Sequence, residues 1–440
     1  MKKLMTVGLI FASSVSAQTL EERVENLEFK SYENYTKVSG RLEYRFDTYT
    51  REIKDTYKTL NTSTSSEDTF SKGNSAAGYQ RVFLNLDISS KPSDKLSFYG
   101  KLSMAKYVNA FNTDKGTLPE DAAYNDLARG STASSSDIFV ERAFANYSFN
   151  KNLTLTFGRL PTSHGAPRHF SMNESRKGNY PILSFGGNWD GMALSYGIAA
   201  GQAVKLVYTP VSSIPFDGQL TDGLTDKDGE AVDVNVPSYA LIYEMEKSNF
   251  ASANNFYFTL TYYSIKDMPT FPSTGATGSN LYLTLQRTSL YTELTGIAGS
   301  HFDVYAHAVS TKTDSEGEII QTKGGWLTDK DSDSVSGSAY GLGVRYSLAP
   351  NMKLGVEYFA GGENAFLYDS SSQDPANIYT TYGTGYHLFY SHDFEGGFKM
   401  VVGHTTKNSE YGRYVFNLIG ATSEIDNTET NGYAKFIASF

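Results

Sequence analysis

Gly432-Tyr433-Ala434-Lys435-Phe436-Ile437-Ala438-Ser439-Phe440, the last nine residues of a 440-residue sequence, divide into two kinds of side chain in strict alternation. Gly432, Ala434, Phe436, Ala438 and Phe440 share one face of a strand and are small or aromatic. Tyr433, Lys435, Ile437 and Ser439 share the other, which carries the only charge. Successive side chains of a strand point to opposite faces, so this segment offers one face to an apolar medium and one to polar surroundings.

The same period recurs from Lys37 onward. In Gly40–Tyr49, Leu42, Tyr44 and Phe46 alternate with Arg41, Glu43, Arg45 and Asp47. Val82, Leu84, Leu86 and Ile88 alternate with Arg81, Phe83, Asn85 and Asp87. Leu96, Phe98, Gly100, Leu102 and Met104 alternate with Ser97, Tyr99, Lys101 and Ser103. Charge keeps to one face throughout, which is the signature of half-buried strands.

The connections alternate too. Long polar segments near 50–78, 107–136, 161–186, 210–235, 267–278, 313–336, 361–381 and 408–428 take turns with short ones. The short ones are Ser89–Asp94, Asn150–Asn152, the surroundings of Gly201, 248–253, 297–301, Ala349–Asn351 and Glu395–Gly397. The spacing predicts about sixteen strands and eight long loops, all at one end. Within 279–296 the apolar phase slips near Thr288, which predicts a β-bulge or an additional hairpin. A soluble sandwich or propeller would have shorter strands and no strict long-short alternation.

The start of the chain reads differently. Residues 1–17 have Lys2 and Lys3, an apolar run from Leu4 to Val15, and the cleavage-site pattern Val15-Ser16-Ala17, so they read as a secretory signal. The apolar run is shorter than the roughly 20 residues that a spanning helix needs. Residues 18–36 read as a short periplasmic helix. Leu20, Val24 and Leu27 give it a heptad-like stripe, compatible with an amphipathic leader or with coiled-coil association between subunits. Residues 37–440 form the strand region. A secreted chain without cysteine must be held by packing and backbone pairing alone. Losing residues 1–17 removes two lysines and no acids, moving the net charge from −10 to −12, which disfavours a nucleic-acid partner.

Strands whose outer face is apolar survive in hydrocarbon only when every backbone group is paired, which requires closure. The expected fold is all-β: a transmembrane antiparallel β-barrel of about sixteen strands. Tyr79, Tyr147, Phe149, Tyr208, Tyr346 and Tyr358 are candidates for its interfacial aromatic girdles.

Two segments carry a resemblance: Leu153-Thr154-Leu155-Thr156-Phe157-Gly158-Arg159-Leu160-Pro161-Thr162 and Trp189-Asp190-Gly191-Met192-Ala193-Leu194-Ser195-Tyr196. A strand ending in this phrase, then the third long loop, then this second strand, is similar to Gram-negative porins, and closest to uncharacterised porin-like proteobacterial outer-membrane proteins. The resemblance implies a channel in the cell outer membrane, with the third loop folded into the lumen. It further implies a homo-oligomer, commonly a trimer, amid lipid and lipopolysaccharide. A last strand ending in Phe resembles the address read by the barrel-assembly machinery. The expected cargo is small hydrophilic solutes or ions.

A pore selects at its narrowest ring. The inward faces of neighbouring strands offer Arg41, Arg45, Arg81, Lys101 and Lys435, with Glu43, Asp47 and Asp87 as counter-charges. The third loop holds His164, Arg168, His169, Arg176 and Lys177 against Glu174, where porins usually carry acids. Together these predict a constriction with a mild anion preference. The other reading is a structural or adhesin-type surface barrel with a plugged lumen. The acidic loops with Asp222, Asp226, Asp228, Glu230 and Asp233, and with Asp314, Glu316, Glu318, Asp329, Asp331 and Asp333, read as solvated surface rather than calcium sites. Neither a metal nor a cofactor is expected. Ser391 with His392, and His307 with Ser310, fall on opposite strand faces, so neither predicts a catalytic pair. Gly341, Gly343, Gly383 and Gly385 read as strand glycines in a crowded interior.

Overall fold

The structure is a computed structural model that describes residues 36–61, 66–108, 138–176, 180–210, 236–270, 281–316, 334–367, 369, 372, 374–412 and 423–440. The expected signal, residues 18–35 of the expected helix, Lys177 and most of the acidic loop residues lie outside them, while Thr36, placed at the end of that helix from sequence, begins a strand.

Sixteen antiparallel strands close on themselves. In chain order they begin with β1 (Thr36–Ile53), β4 (Gly73–Ser90), β5 (Leu96–Tyr107), β6 (Phe139–Ser148) and β7 (Leu153–Arg159). Next come β8 (Asp190–Ala199), β9 (Gln202–Tyr208), β10 (Ser238–Phe250), β11 (Ala253–Thr270) and β12 (Leu281–Thr295). The last are β13 (Phe302–Glu316), β14 (Ser334–Ala349), β15 (Met352–Gly361), β16 (Gly383–Asp393), β17 (Phe398–Gly412) and β18 (Ser423–Ser439). The first long loop adds a two-stranded hairpin, β2 (Tyr57–Asn61) with β3 (Ser66–Phe70), where sequence had suggested only a polar connection. The strand count and the long-short alternation follow the sequence pattern. Apolar outside, with charged and polar side chains inside, the chain is a closed transmembrane antiparallel β-barrel.

The seam joins β1 to β18, with Arg41 opposite Ser439 and Ile53 opposite Asn427. Beyond the last strand residue, Gly40 and Phe440 exchange both backbone hydrogen bonds, at 2.8 and 2.9 Å. A Cβ on Gly40 would lie 2.1 Å from the Phe440 ring, so the ring covers a site that only glycine leaves free. Gly40→Leu is therefore expected to swing that ring, 71% exposed, aside at a cost within about 0.5 kcal/mol. A urea midpoint in detergent close to that of the unaltered protein would register it, and a large drop would mean that the ring is fixed.

Inward and outward faces alternate as the sequence predicts. Leu42 and Phe46 are exposed outward, while Glu43, Arg45 and Asp47 are buried inside. Outward rings gather at both ends. Phe302 with Tyr346 (4.8 Å) and Phe250 with Phe256 (4.6 Å) lie at the short turns, and Tyr358 with Tyr386 (5.2 Å) lies towards the loops. Tyr147, Phe149, Tyr208, Tyr346 and Tyr358 stand outward. Tyr79 instead turns inward, with the Arg81 guanidinium 5.3 Å from its ring.

The suspected phase slip is absent over the part of β12 whose side chains are described. Leu285, Arg287, Ser289, Tyr291 and Glu293 all face in, and Leu290 faces out. Leu285 is apolar because the interior it meets there is apolar. The irregularity falls on the partner strand, between Ile265 and Met268 of β11.

Candidate functional site

The third long loop, between β7 and β8, folds into the barrel and carries two short helices, α1 (Arg168–Met172) and α2 (Ile182–Phe185). Phe170 has no exposed surface and meets Tyr305 edge-on at 5.0 Å and Phe389 at 6.4 Å. Those rings sit where a Cβ on Gly343 or Gly355 would be, 2.0 and 2.2 Å away respectively. Inner-face glycines thus let aromatic side chains lie flat on the wall and receive the loop. Arg345 Nη1 donates to the Phe170 carbonyl (2.8 Å), and Lys399 Nζ donates to those of Met172 (2.8 Å) and Asn173 (3.0 Å). These charged donors satisfy the last carbonyls of α1, which ends at Asn173 in the left-handed conformation. Ile182 and Leu183 of α2 pack with Val309 and Phe359.

A second loop, 362–382 between β15 and β16, also turns inward, where sequence had placed it outside. Ala365, Leu367, Ile378, Tyr379 and Tyr382 join the same buried cluster as Ile182. Asn377 begins a single helical turn there by accepting from the Tyr379 amide at 3.1 Å.

Most of the basic residues singled out from sequence hold these two loops to the wall. Arg45, with no exposed surface, donates to Asp47 (2.8 Å) and to Asp374 of the second loop (2.5 Å). Arg81 lies 3.1 Å from Asp47, and Lys435 lies 3.7 Å from Asp374. Arg41 bridges Glu43 (2.6 Å) and Glu174 of the third loop (2.5 Å). Arg168 reaches Asp369 at 2.5 Å, which ties the two loops to each other. His169 lies 2.9 Å from Glu293, and His164 lies 2.9 Å from Glu141. Arg176 lies 3.2 Å from Glu246 and covers the Tyr257 ring at 3.3 Å. The wall and loop residues therefore do meet, but much of their charge is matched inside the clamp.

The two loops leave space on the opposite side, against β4 to β9. A cavity of about 370 Å³ lies there, lined by Asp87, Tyr99, Lys101, Arg142, Phe144 and Lys205 among others. A bulge shapes it. Lys101 pairs with Arg142 and the next position, Leu102, pairs with Val140, so Glu141 is the extra residue. Both Glu141 and Arg142 then contact interior groups. Glu141 is 1% exposed and gathers Lys101 (2.8 Å), Ser103 (2.6 Å) and Ser163 (2.9 Å). Arg142 is steadied by Ser163 Oγ at 3.1 Å and by the Ser163 carbonyl, leaving its guanidinium at the cavity. Lys205 lies 2.7 Å from Glu244. Sequence reasoning found Lys101 and Asp87 but missed Arg142 and Lys205, which belong to strands too short to show a clear period.

The serine–histidine pairs stand as their spacing predicts: His307 is buried inside while Ser310 faces out, and Ser391 and His392 occupy opposite faces. Among the described residues no group of three or more His, Asp or Glu is placed to hold a metal ion.

Residues 74–210 match a family described as a protein of unknown function (DUF3373). This segment runs from β4 through β9, the wall of the cavity and the third loop. No curated protein matches the chain. Several solved structures are similar in fold. In vitro folded OmpT, an outer-membrane protein of Vibrio cholerae, is 11% identical, with 91% of this chain and 97% of that one covered at a TM-score of 0.45. The anion-selective porin of Comamonas acidovorans is 10% identical, with 92% and 99% covered at 0.44. Salmonella typhi OmpF in complex with daunomycin is 11% identical, with 91% and 97% covered at 0.45.

Proposed function

We propose that the protein is an outer-membrane channel that passes small hydrophilic solutes along one side of its lumen, with a mild preference for anions. The observation that carries this reading is the cavity between the third loop and β4–β9, whose lining holds Lys101, Arg142, Lys205 and Asp87, with Glu141 and Glu244 behind the two lysines. Low-dielectric walls focus such charges, so the cationic groups that reach the lining, ahead of their partners, bias permeation. The clamp residues Arg41, Arg45, Arg81, Lys435, Arg168 and His169 act in this account by narrowing the lumen. Selectivity falls to the cations at the cavity. No catalytic step is assigned to any residue.

The short strands β7 and β9, of 7 residues each, support an oligomer. A tilted spanning strand takes about 9–11 residues. A wall this low is best covered by neighbouring copies, in keeping with a trimer. Lipid and lipopolysaccharide surround the rest, and β18 is the strand offered to the barrel-assembly machinery.

Reversal potentials across a salt gradient in planar bilayers test the reading. A modest anion preference is expected, and Arg142→Glu should shift it towards cations. Clear cation preference in the unaltered protein would overturn it. The rival reading, a plugged structural barrel, draws on the apolar packing that fills the other half of the lumen. Liposome swelling with small sugars separates the two, since a plug gives none.

A further inference from the structure

We propose that the cavity beside the third loop is a binding site for neutral cyclic polyols, with a pyranose sugar as the model ligand. This deepens the channel reading and rests on it for its biological use, while the site itself is a matter of side-chain geometry.

The charges around the cavity are balanced. Lys101 lies 2.8 Å from Glu141, and Lys205 lies 2.7 Å from Glu244. Arg142 is engaged by Ser163, and Asp87 stands in the same register row as Lys101 and Arg142. The cations Lys101, Arg142 and Lys205 thus have the carboxylates Glu141, Glu244 and Asp87 about them, and no cation is left over for an anionic ligand. A charged ligand would lose its hydration there without gaining a partner, whereas a neutral one would not.

What remains without a hydrogen bond is mostly uncharged and surrounds two rings. Tyr99 and Phe144 are register neighbours on the inner wall. Their rings stack at 5.2 Å with planes 20° apart, and Tyr99 remains 43% exposed. By contrast, the inward rings of Tyr257, Tyr291, Tyr305, Phe359 and Phe389 are buried. Ser89 shares the row of Tyr99. Ser39 and Asp87 occupy the next row towards the loops, Asn146 the next row towards the short turns, and Ser195 the row beyond that. All of these line the cavity. The side chains of Ser39, Asp87, Ser89 and Ser195, and the Tyr99 hydroxyl, have no hydrogen-bond partner among the described residues. Asn146 accepts from Thr156 at 2.7 Å, which leaves its amide NH₂ to donate.

A flat apolar surface ringed by donors and acceptors fits a molecule that has an apolar face and hydroxyls at its edge. A pyranose presents such a face through its ring C–H groups, and each of its hydroxyls both donates and accepts. Rows on the wall are about 7 Å apart and neighbouring strands about 5 Å. A sugar ring resting on Tyr99 therefore has Asp87 and Ser89 beside it, and the two Asp87 oxygens can accept from two adjacent hydroxyls. A phenol would cover the rings but bring one hydroxyl to groups on several sides. An open-chain polyol would bring the hydroxyls without the face. The volume, about 370 Å³, sits at the small end of ligand sites and favours a compact molecule.

Equilibrium titration of the solubilised full chain by saturation-transfer NMR tests the site, in a zwitterionic detergent without a sugar head group. The probes are methyl β-glucopyranoside, sorbitol, phenol and the methyl glycoside of glucuronate. The glucopyranoside is expected to bind at least about fivefold more tightly than sorbitol or phenol, and the glucuronate to gain nothing from its charge. Equal binding of the glucopyranoside and sorbitol would overturn the role of the rings. Equal binding of the glucopyranoside and phenol would overturn the role of the hydrogen-bonding groups. Clearly tighter binding of the glucuronate would overturn the choice of a neutral ligand. Tyr99→Ala should bring the glucopyranoside down to the sorbitol level, and Asp87→Ala should bring it towards the phenol level. The ligand series on the unaltered protein decides the matter even where a variant does not fold. Bilayer conductance is recorded separately on the same preparation. Selective binding without conductance would sink the channel reading and keep the site. Conductance without selective binding would sink the site and keep the channel.

Discussion

Replacing Phe170 by alanine is expected to raise single-channel conductance by about twofold or more while the barrel stays closed. Phe170 is fully buried between Tyr305, Phe389 and Tyr291, and its carbonyl is held by Arg345. Truncating a buried phenylalanine costs about 3–5 kcal/mol. None of that loss falls on the strand ladder, whose hydrogen bonds do not involve the loop. The destabilisation is therefore confined to loop docking, and α1 should detach from the wall. Bilayer recordings supply the conductance, and an unchanged heat-dependent gel shift supplies the control for the barrel. Wild-type conductance in a folded Phe170→Ala barrel would mean that the third loop does not limit the lumen.

The second large effect is expected from Asp374→Lys. Asp374 meets Arg45 at 2.5 Å and Lys435 at 3.7 Å, so the substitution places a third cation against two that have little or no access to water. Breaking a fully buried pair costs about 3–5 kcal/mol, an upper bound here because the Asp374 side chain is 38% exposed, and adding a like charge exceeds simple removal. The second loop should leave the lumen, again raising conductance. Asp374→Asn should do less, because Arg45 keeps Asp47 and because the Asp374 side chain is itself 38% exposed and screened by water. Burial alone would raise the Asp374 carboxyl, but Lys435, Arg45 and Arg168 outweigh it and hold the group well below the usual carboxylate range. A lowered value means that the clamp's contribution is complete above the unfolded pKa of about 3.9 and is lost only as pH falls through the folded one. Wild-type conductance should accordingly stay flat from neutrality to about pH 4. A rise near pH 6 would count against Asp374 as the anchor.

The outer architecture was legible because it is local. Alternation in Gly40–Tyr49 or Gly432–Phe440 is enforced by lipid on one side and can be read from a few residues. The inner assignments of Arg41, Arg45, Arg81, Lys101 and Lys435 came from the same alternation. What these cations meet was not legible, because Asp374 is 329 residues from Arg45 and Glu174 is 133 from Arg41. The phase slip expected near Thr288 has a related cause: an apolar residue on an inner face, here Leu285, looks like a register error until the apolar cluster packed on it is known. A signal for the second inward loop was present and passed over. Ala365-Phe366-Leu367 and Ile378-Tyr379 are apolar runs in a connection taken as solvated, and the facing strands carry Gly343, Gly355 and Gly385 on their inner sides. Together, apolar loop residues and glycine-lined inner strands mark a filled interior. The extra residue at Glu141 had no such marker, since a single insertion in a short strand changes no period long enough to detect.

The partners of α1 lie late in the chain. Met172 meets Lys399 and Lys435, 227 and 263 residues further on. The helix meets β12, β13 and β14 first, but its end is not fully held until β16, β17 and β18 are in place, and contacts of such long sequence separation are slow to form. Complete seating of α1 therefore belongs to the end of assembly, together with closure of the seam between β1 and β18.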